Sequence, residues 1–132
     1  MSIPLTTSLV ISEIAAERAR QDAKWGVQNH PLVDALLHEQ NCSHKRMAEE
    51  YEIPTALRAT QLCQWAAQKG QVTWLHILQE EVSEFMAESQ HSTPYPDAAR
   101  AELVQIAAVA VAAIEAFDRA RAEVVDGTGE AP

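Results

Sequence analysis

Residues 74–89 read Trp-Leu-His-Ile-Leu-Gln-Glu-Glu-Val-Ser-Glu-Phe-Met-Ala-Glu-Ser, a helix-length stretch whose acidic and apolar residues separate onto different sides. Each residue turns an α-helix by roughly 100°, so the two sides can be mapped from the sequence alone. With Glu80 at the origin, Glu84, Glu88 and Glu81 fall at roughly 40°, 80° and 100°. Leu75, Leu78, Val82, Phe85 and Met86 centre near roughly 190°. The spacing predicts an amphipathic helix from Trp74 to about Ser89, with Thr73 as its N-cap.

Beyond this helix, residues 90–96 contain Pro94 and Pro96 and read as a loop. Asp97 is suited to cap a last helix running to about Val125. Its first part, Ala98 to Ala113, is nearly apolar all round, the pattern of a buried helix. The many alanines there allow neighbouring backbones to approach closely. Towards the N-terminus, Thr55, Leu57, Leu62, Trp65 and Ala66 predict a helix entered after Pro54 and closed near Lys69-Gly70. Val33, Leu36, Leu37 and Met47 suggest another from about Leu32 to Tyr51. Ser8 to about Lys24 predicts the first, ended by Trp25-Gly26 and the His30-Pro31 break.

No stretch alternates as a strand would, and the 132 residues contain only 4 Gly. The expected fold is therefore all-α, a four- to five-helix bundle in one domain over residues 1–125, with a flexible tail at 126–132. An all-round apolar helix in so small a bundle predicts completion by oligomerisation, as a homodimer or homotetramer.

The net charge of −9 argues against a nucleic-acid or anionic-membrane partner. The longest apolar run, Ile106 to Ile114, is too short to span a bilayer. No basic segment followed by an apolar one opens the chain, so a cytoplasmic protein with reduced Cys42 and Cys63 is expected.

The acidic stripe admits two readings. On its own, Glu80, Glu81 and Glu84 would be a solvated helix face. Glu102 shifts the balance, because a carboxylate on an apolar helix needs a partner. That partner is either a base such as Arg58 or Arg100, or a cation shared with the first cluster. Glu102 and Gln105 lie one turn apart and share a face. Facing helices would gather Glu81, Glu84, Glu102 and Gln105 into an oxygen-rich cage suited to a hard cation such as Mg²⁺.

The order Glu81-x-x-Glu84, seventeen intervening residues, then Glu102-x-x-Gln105 resembles the ExxE…ExxD signature of the MazG-like all-α nucleoside triphosphate pyrophosphohydrolases. The segment from Glu17 to Pro31, with Lys24-Trp25-Gly26 at its centre, is similar to the opening of phage and bacterial members. The resemblance spans roughly Ile11 to Phe117. It implies Mg²⁺-dependent cleavage of a nucleoside triphosphate into a monophosphate and pyrophosphate, with Mn²⁺ as a substitute ion. Glu81, Glu84 and Glu102 match metal-ligand positions. Glu80 matches an extra acid that would orient or deprotonate the attacking water. Gln105 departs from the pattern, which has Asp there, and offers only a neutral carbonyl oxygen.

Trp25 is a candidate for stacking on the base, and Lys24 and Lys69 for contacting phosphate oxygens. A literal ExxD occurs at Glu115-Ala116-Phe117-Asp118, but about 20 Å further along the helix than Glu102. His38, Cys42, His44 and Cys63 match no structural zinc spacing. Glu88-Ser89-Gln90-His91 is the lone Glu-x-x-His of the kind a di-iron site needs in pairs. A second functional class also fits: a catalytically weak or inactive MazG-like protein, serving as a nucleotide-binding or oligomeric module.

Overall fold

A computed structural model describes residues 2–34, 43–90 and 93–128. Among them the chain is entirely helical, with α1 at Leu5–Trp25, α2 at His44–Tyr51, α3 at Ala56–Gln68, α4 at Trp74–Ser89 and α5 at Asp97–Thr128. The all-α architecture expected from the sequence is present. None of these helices is long and apolar enough to cross a membrane. His38, Cys42, Leu36, Leu37 and His91 lie outside the described residues.

The chain divides into two compact units. The first comprises Met1–Asn29 with Ala110–Pro132, the second His30–Val109. In the first, α1 begins three residues before the expected Ser8, because the Pro4 carbonyl accepts the Ser8 N–H at 3.0 Å. It stops at Gly26, whose φ of 68° sends the chain into the left-handed region while its N–H still bonds the Asp22 carbonyl at 2.8 Å. Thr7 Oγ1 donates to Glu115 Oε1 at 2.6 Å, tying α1 to the C-terminal half of α5.

The second unit is built around α4. It packs against both α2 and α3, and Met47, Ala48 and Met86 form a buried cluster with Val33 and Ile53 against it. Ala59 and Ala66 are the buried residues of α3, and Ser83, Met86 and Ser89 those of α4. Small side chains at most of these positions let the two backbones come close. The buried side of α4 is consequently turned from the purely apolar arc toward Ser83, and Leu75 is left 74% exposed.

Residues 32–34 are not helical, in contrast to the segment expected from Leu32. A distant group decides their path: the Asp34 N–H donates to the Tyr51 hydroxyl at 2.7 Å, and Val33 packs on the core without a helix. The helix proper starts at His44 behind the Ser43 cap and ends at Glu52, which takes φ 54°. Thr55, just after Pro54, caps α3, accepting the Arg58 N–H. Asp97 lies inside the first turn of α5 instead of capping it, and the Pro96 carbonyl accepts from Ala99 and Arg100. A carboxylate there still favours the positive helix end. The helix persists to Thr128, within the range assigned to a tail, as helix ends commonly differ from sequence limits by a few residues.

The larger correction concerns Ala98 to Ala113. In this single chain the segment is not enclosed: Ala99 is buried, but Leu103 and Val104 are exposed. Composition reports that a surface is apolar, not that a neighbour covers it.

Thr73 forms a capping box on α4. Its Oγ1 accepts the His76 N–H, while His76 Nδ1 accepts the Thr73 N–H at 3.1 Å. Thr73→Ala should cost about 1 kcal/mol, and His76→Gln, which keeps an acceptor at the same place, far less. The Ser83 hydroxyl, fully buried, has no hydrogen-bond partner. Ser83→Ala should leave stability unchanged or raise it by up to about 1 kcal/mol, whereas Ser83→Leu should cost about 1–3 kcal/mol by overpacking. Urea denaturation of the four variants checks both pairs.

Candidate metal centre

Three carboxylates meet in the second unit. Glu81 and Glu84 project from α4 and Glu102 from the first turns of α5. One oxygen from each lies within 4.8 Å of the others, and all three residues are half-buried. The i, i+3 spacing places the α4 pair on one side of its helix, as the sequence implied.

What surrounds them bears on whether a base is the partner of Glu102. Among the described residues, ion pairs join Arg18 to Asp22 and Arg20 to Glu17, and none reaches the three glutamates. Arg58 is occupied elsewhere, with its guanidinium 5.1 Å from the Trp65 ring centre. Arg100 lines a different hollow, with Leu32, Tyr95 and Leu103. Glu102 Oε2 is buried without a hydrogen-bond partner. Among the described residues, then, neither Arg58 nor Arg100, the bases named as alternative partners, is paired with Glu102.

The carboxyls are poorly suited to being ionised together. Burial pushes the Glu84 carboxyl above the ordinary glutamate range, and the charges of Glu102 and Glu80 add to it, as do a hydrogen bond with Glu102 and the charge of Glu88. Burial also raises Glu102, followed by its hydrogen bond and charge interaction with Glu81 and the charge of Glu88. Its hydrogen bond with Glu84 acts in the opposite direction but does not reverse the rise. Glu84 and Glu102 therefore favour their protonated forms more than a free glutamate does.

The donor set fits a hard divalent ion. All three ligand groups are carboxylates, and one carries an orphaned buried oxygen. Oxygens on opposite sides of an octahedral Mg²⁺ stand about 4.2 Å apart. Separations of up to 4.8 Å thus close on such an ion through small side-chain movements. Three protein ligands suit Mg²⁺, which keeps several waters and leaves positions for substrate oxygens.

The remaining site residues divide. Glu80 is half-buried beside the cluster, and its charge acts on Glu84 and on Cys63 of α3. Gln105 is exposed one turn beyond Glu102. Lys69 is exposed at the end of α3, where its N–H closes the helix on the Trp65 and Ala66 carbonyls. Lys24 and Trp25 belong to the first unit, where both are exposed and the Lys24 ammonium stands 4.8 Å from the Trp25 ring centre. Glu115 of the alternative ExxD is engaged by Thr7 in that unit. Glu88 was not singled out as a site residue, yet its charge acts on both Glu84 and Glu102. Its position four residues after Glu84 was the available signal.

Raised carboxyl values in the folded chain set the sign of a pH effect. The folded state binds protons more tightly than the unfolded one, so this contribution to stability is full in acid. It is lost as the pH rises through the raised Glu84 and Glu102 values. A divalent cation takes the deprotonated carboxylates and opposes that loss. In EDTA, Glu84→Gln should flatten the fall in Tm between about pH 4 and about pH 8. Added Mg²⁺ or Mn²⁺ should raise Tm more near neutrality than in acid, as differential scanning fluorimetry would record.

Comparison of the chain with protein-family models, with curated proteins and with solved structures found no match in any of the three.

Proposed function

We propose that this chain is a Mg²⁺-dependent nucleoside triphosphate pyrophosphohydrolase of the MazG-like kind, cleaving a (deoxy)nucleoside triphosphate to its monophosphate and pyrophosphate. The observation that carries the reading is the convergence of Glu81, Glu84 and Glu102 within 4.8 Å. Their order along the chain is the one the family resemblance requires, and no basic side chain among the described residues is paired with them.

In this reading Glu81, Glu84 and Glu102 hold the ion and Glu80 orients and deprotonates the attacking water. The bound ion supplies charge neutralisation for a substrate carrying about four negative charges, and polarises its phosphorus centre. An acidic protein can then receive an anionic substrate without contradiction. Trp25 is assigned to stacking on the base, and Lys24 and Lys69 to phosphate contact, on side-chain chemistry alone. The corresponding role is nucleotide-pool housecleaning in the cytoplasm.

Gln105 favours a second reading. It replaces the family's fourth carboxylate with a neutral amide and is exposed. A chain with three acids in place of four could bind nucleotide and metal weakly, as a catalytically weak or inactive helical module.

Pyrophosphate release from a panel of common and modified triphosphates, with Mg²⁺ or Mn²⁺, separates the two. Glu81→Gln should lower the rate by more than the 10–100-fold that outer-shell partners of a metal site cost, thus by at least about 100-fold. Absence of release from every triphosphate, with Glu81→Gln binding metal as the wild type does, would reject the enzyme. Gln105→Asp should shift the Mg²⁺ titration to lower concentration; an unmoved titration would place Gln105 outside the site.

A further inference from the structure

We infer that Glu88 of α4 serves as the fourth carboxylate of the metal centre, supplying from the rim the negative charge that Gln105 does not. The inference rests on the metal-dependent function proposed above and adds a residue of this chain to that site.

The position of Glu88 is fixed by its neighbours in the last turn of α4. Ser89 is buried and its hydroxyl donates to the Phe85 carbonyl at 2.7 Å. The Gln90 N–H closes on the Ala87 carbonyl at 3.2 Å. The helix is therefore held through Glu88 itself, which stands exposed beside buried Ser89. Glu88 follows Glu84 by four residues and Glu81 by seven, so all three lie on one side of α4. Helical side chains lean toward the N-terminus of their helix. The Glu88 side chain thus leans back over the turn that carries Glu84.

Glu88 is not one of the three carboxylates gathered within 4.8 Å, which puts it outside the inner group. From there its charge still acts on both Glu84 and Glu102, one on its own helix and one on α5. Among the described residues no ion pair involves it, so no Lys or Arg neutralises that charge. Gln105, one turn beyond Glu102, brings a neutral amide where the resemblance has a carboxylate. A charge lost from α5 is in this way restored from α4. A carboxylate at the rim strengthens the hold on a divalent ion through its charge and by accepting hydrogen bonds from the ion's hydration shell.

Mn²⁺ binding to the full chain, followed by the electron paramagnetic resonance of the free ion, tests this without turnover. Glu88→Gln should weaken binding by about 10-fold. Gln105→Asp added to Glu88→Gln should restore most of the lost affinity, because the charge returns to the centre from the other helix. Glu49→Gln, which removes an exposed charge from α2 in the same unit, should leave binding unchanged. If Glu88→Gln loses no more affinity than Glu49→Gln, the role of Glu88 is overturned and the three-carboxylate centre stands. A loss in Glu88→Gln that Gln105→Asp does not relieve would overturn the replacement of one residue by the other. A wild type that binds no Mn²⁺ would instead reject the metal centre itself, and the inference with it.

Discussion

Three carboxylates drawn from two helices into less than 5 Å form the constraint around which the second unit is arranged. Like charges at that separation, partly withdrawn from water, disfavour one another's ionised form. The chain provides no Lys or Arg contact to them among the described residues. Burial and the neighbouring charges raise Glu84 and Glu102 together, and a cation bound there, as proposed, would relieve both.

Placement of those groups follows from ordinary packing. The core of Met47, Ala48 and Met86 fixes α4 against α2, and the small buried residues of α3 and α4 bring those helices together. Glu80, Glu81 and Glu84 then lie away from the most buried side of α4. The apolar side and the acidic side thus have separate tasks on one helix, the first holding position and the second chemistry.

Local sequence was a good guide wherever local forces decide. Thr73 marked the start of α4, Gly26 the end of α1, and i, i+3 spacing put Glu81 and Glu84 on a common side. Glu102 could be joined to them by its place on an apolar helix. What escaped reading depends on residues far away in sequence. Leu32 to Asp34 leave the helical path because a hydroxyl on Tyr51 holds the backbone there. Ser83 is fully buried although it stands beside Glu84 in the stretch read as acidic. Leu103 and Val104 are apolar yet exposed, since burial is decided by which residues a chain brings over a helix and not by the helix's own composition. Lys24 and Lys69 show the same limit, since the reach of an exposed lysine is set by tertiary placement.

The cap on α4 has a further consequence. Its N3 position is filled by histidine, whereas a carboxylate or amide is the usual choice. One imidazole nitrogen, Nδ1, meets both the backbone N–H and the hydroxyl of Thr73, at 3.1 Å and 2.7 Å, so a single side chain gathers the first turn onto its cap. The helix that carries the proposed metal ligands is thus held at its start by a rigid ring, where a glutamate or glutamine would hold it through a longer, more flexible stem.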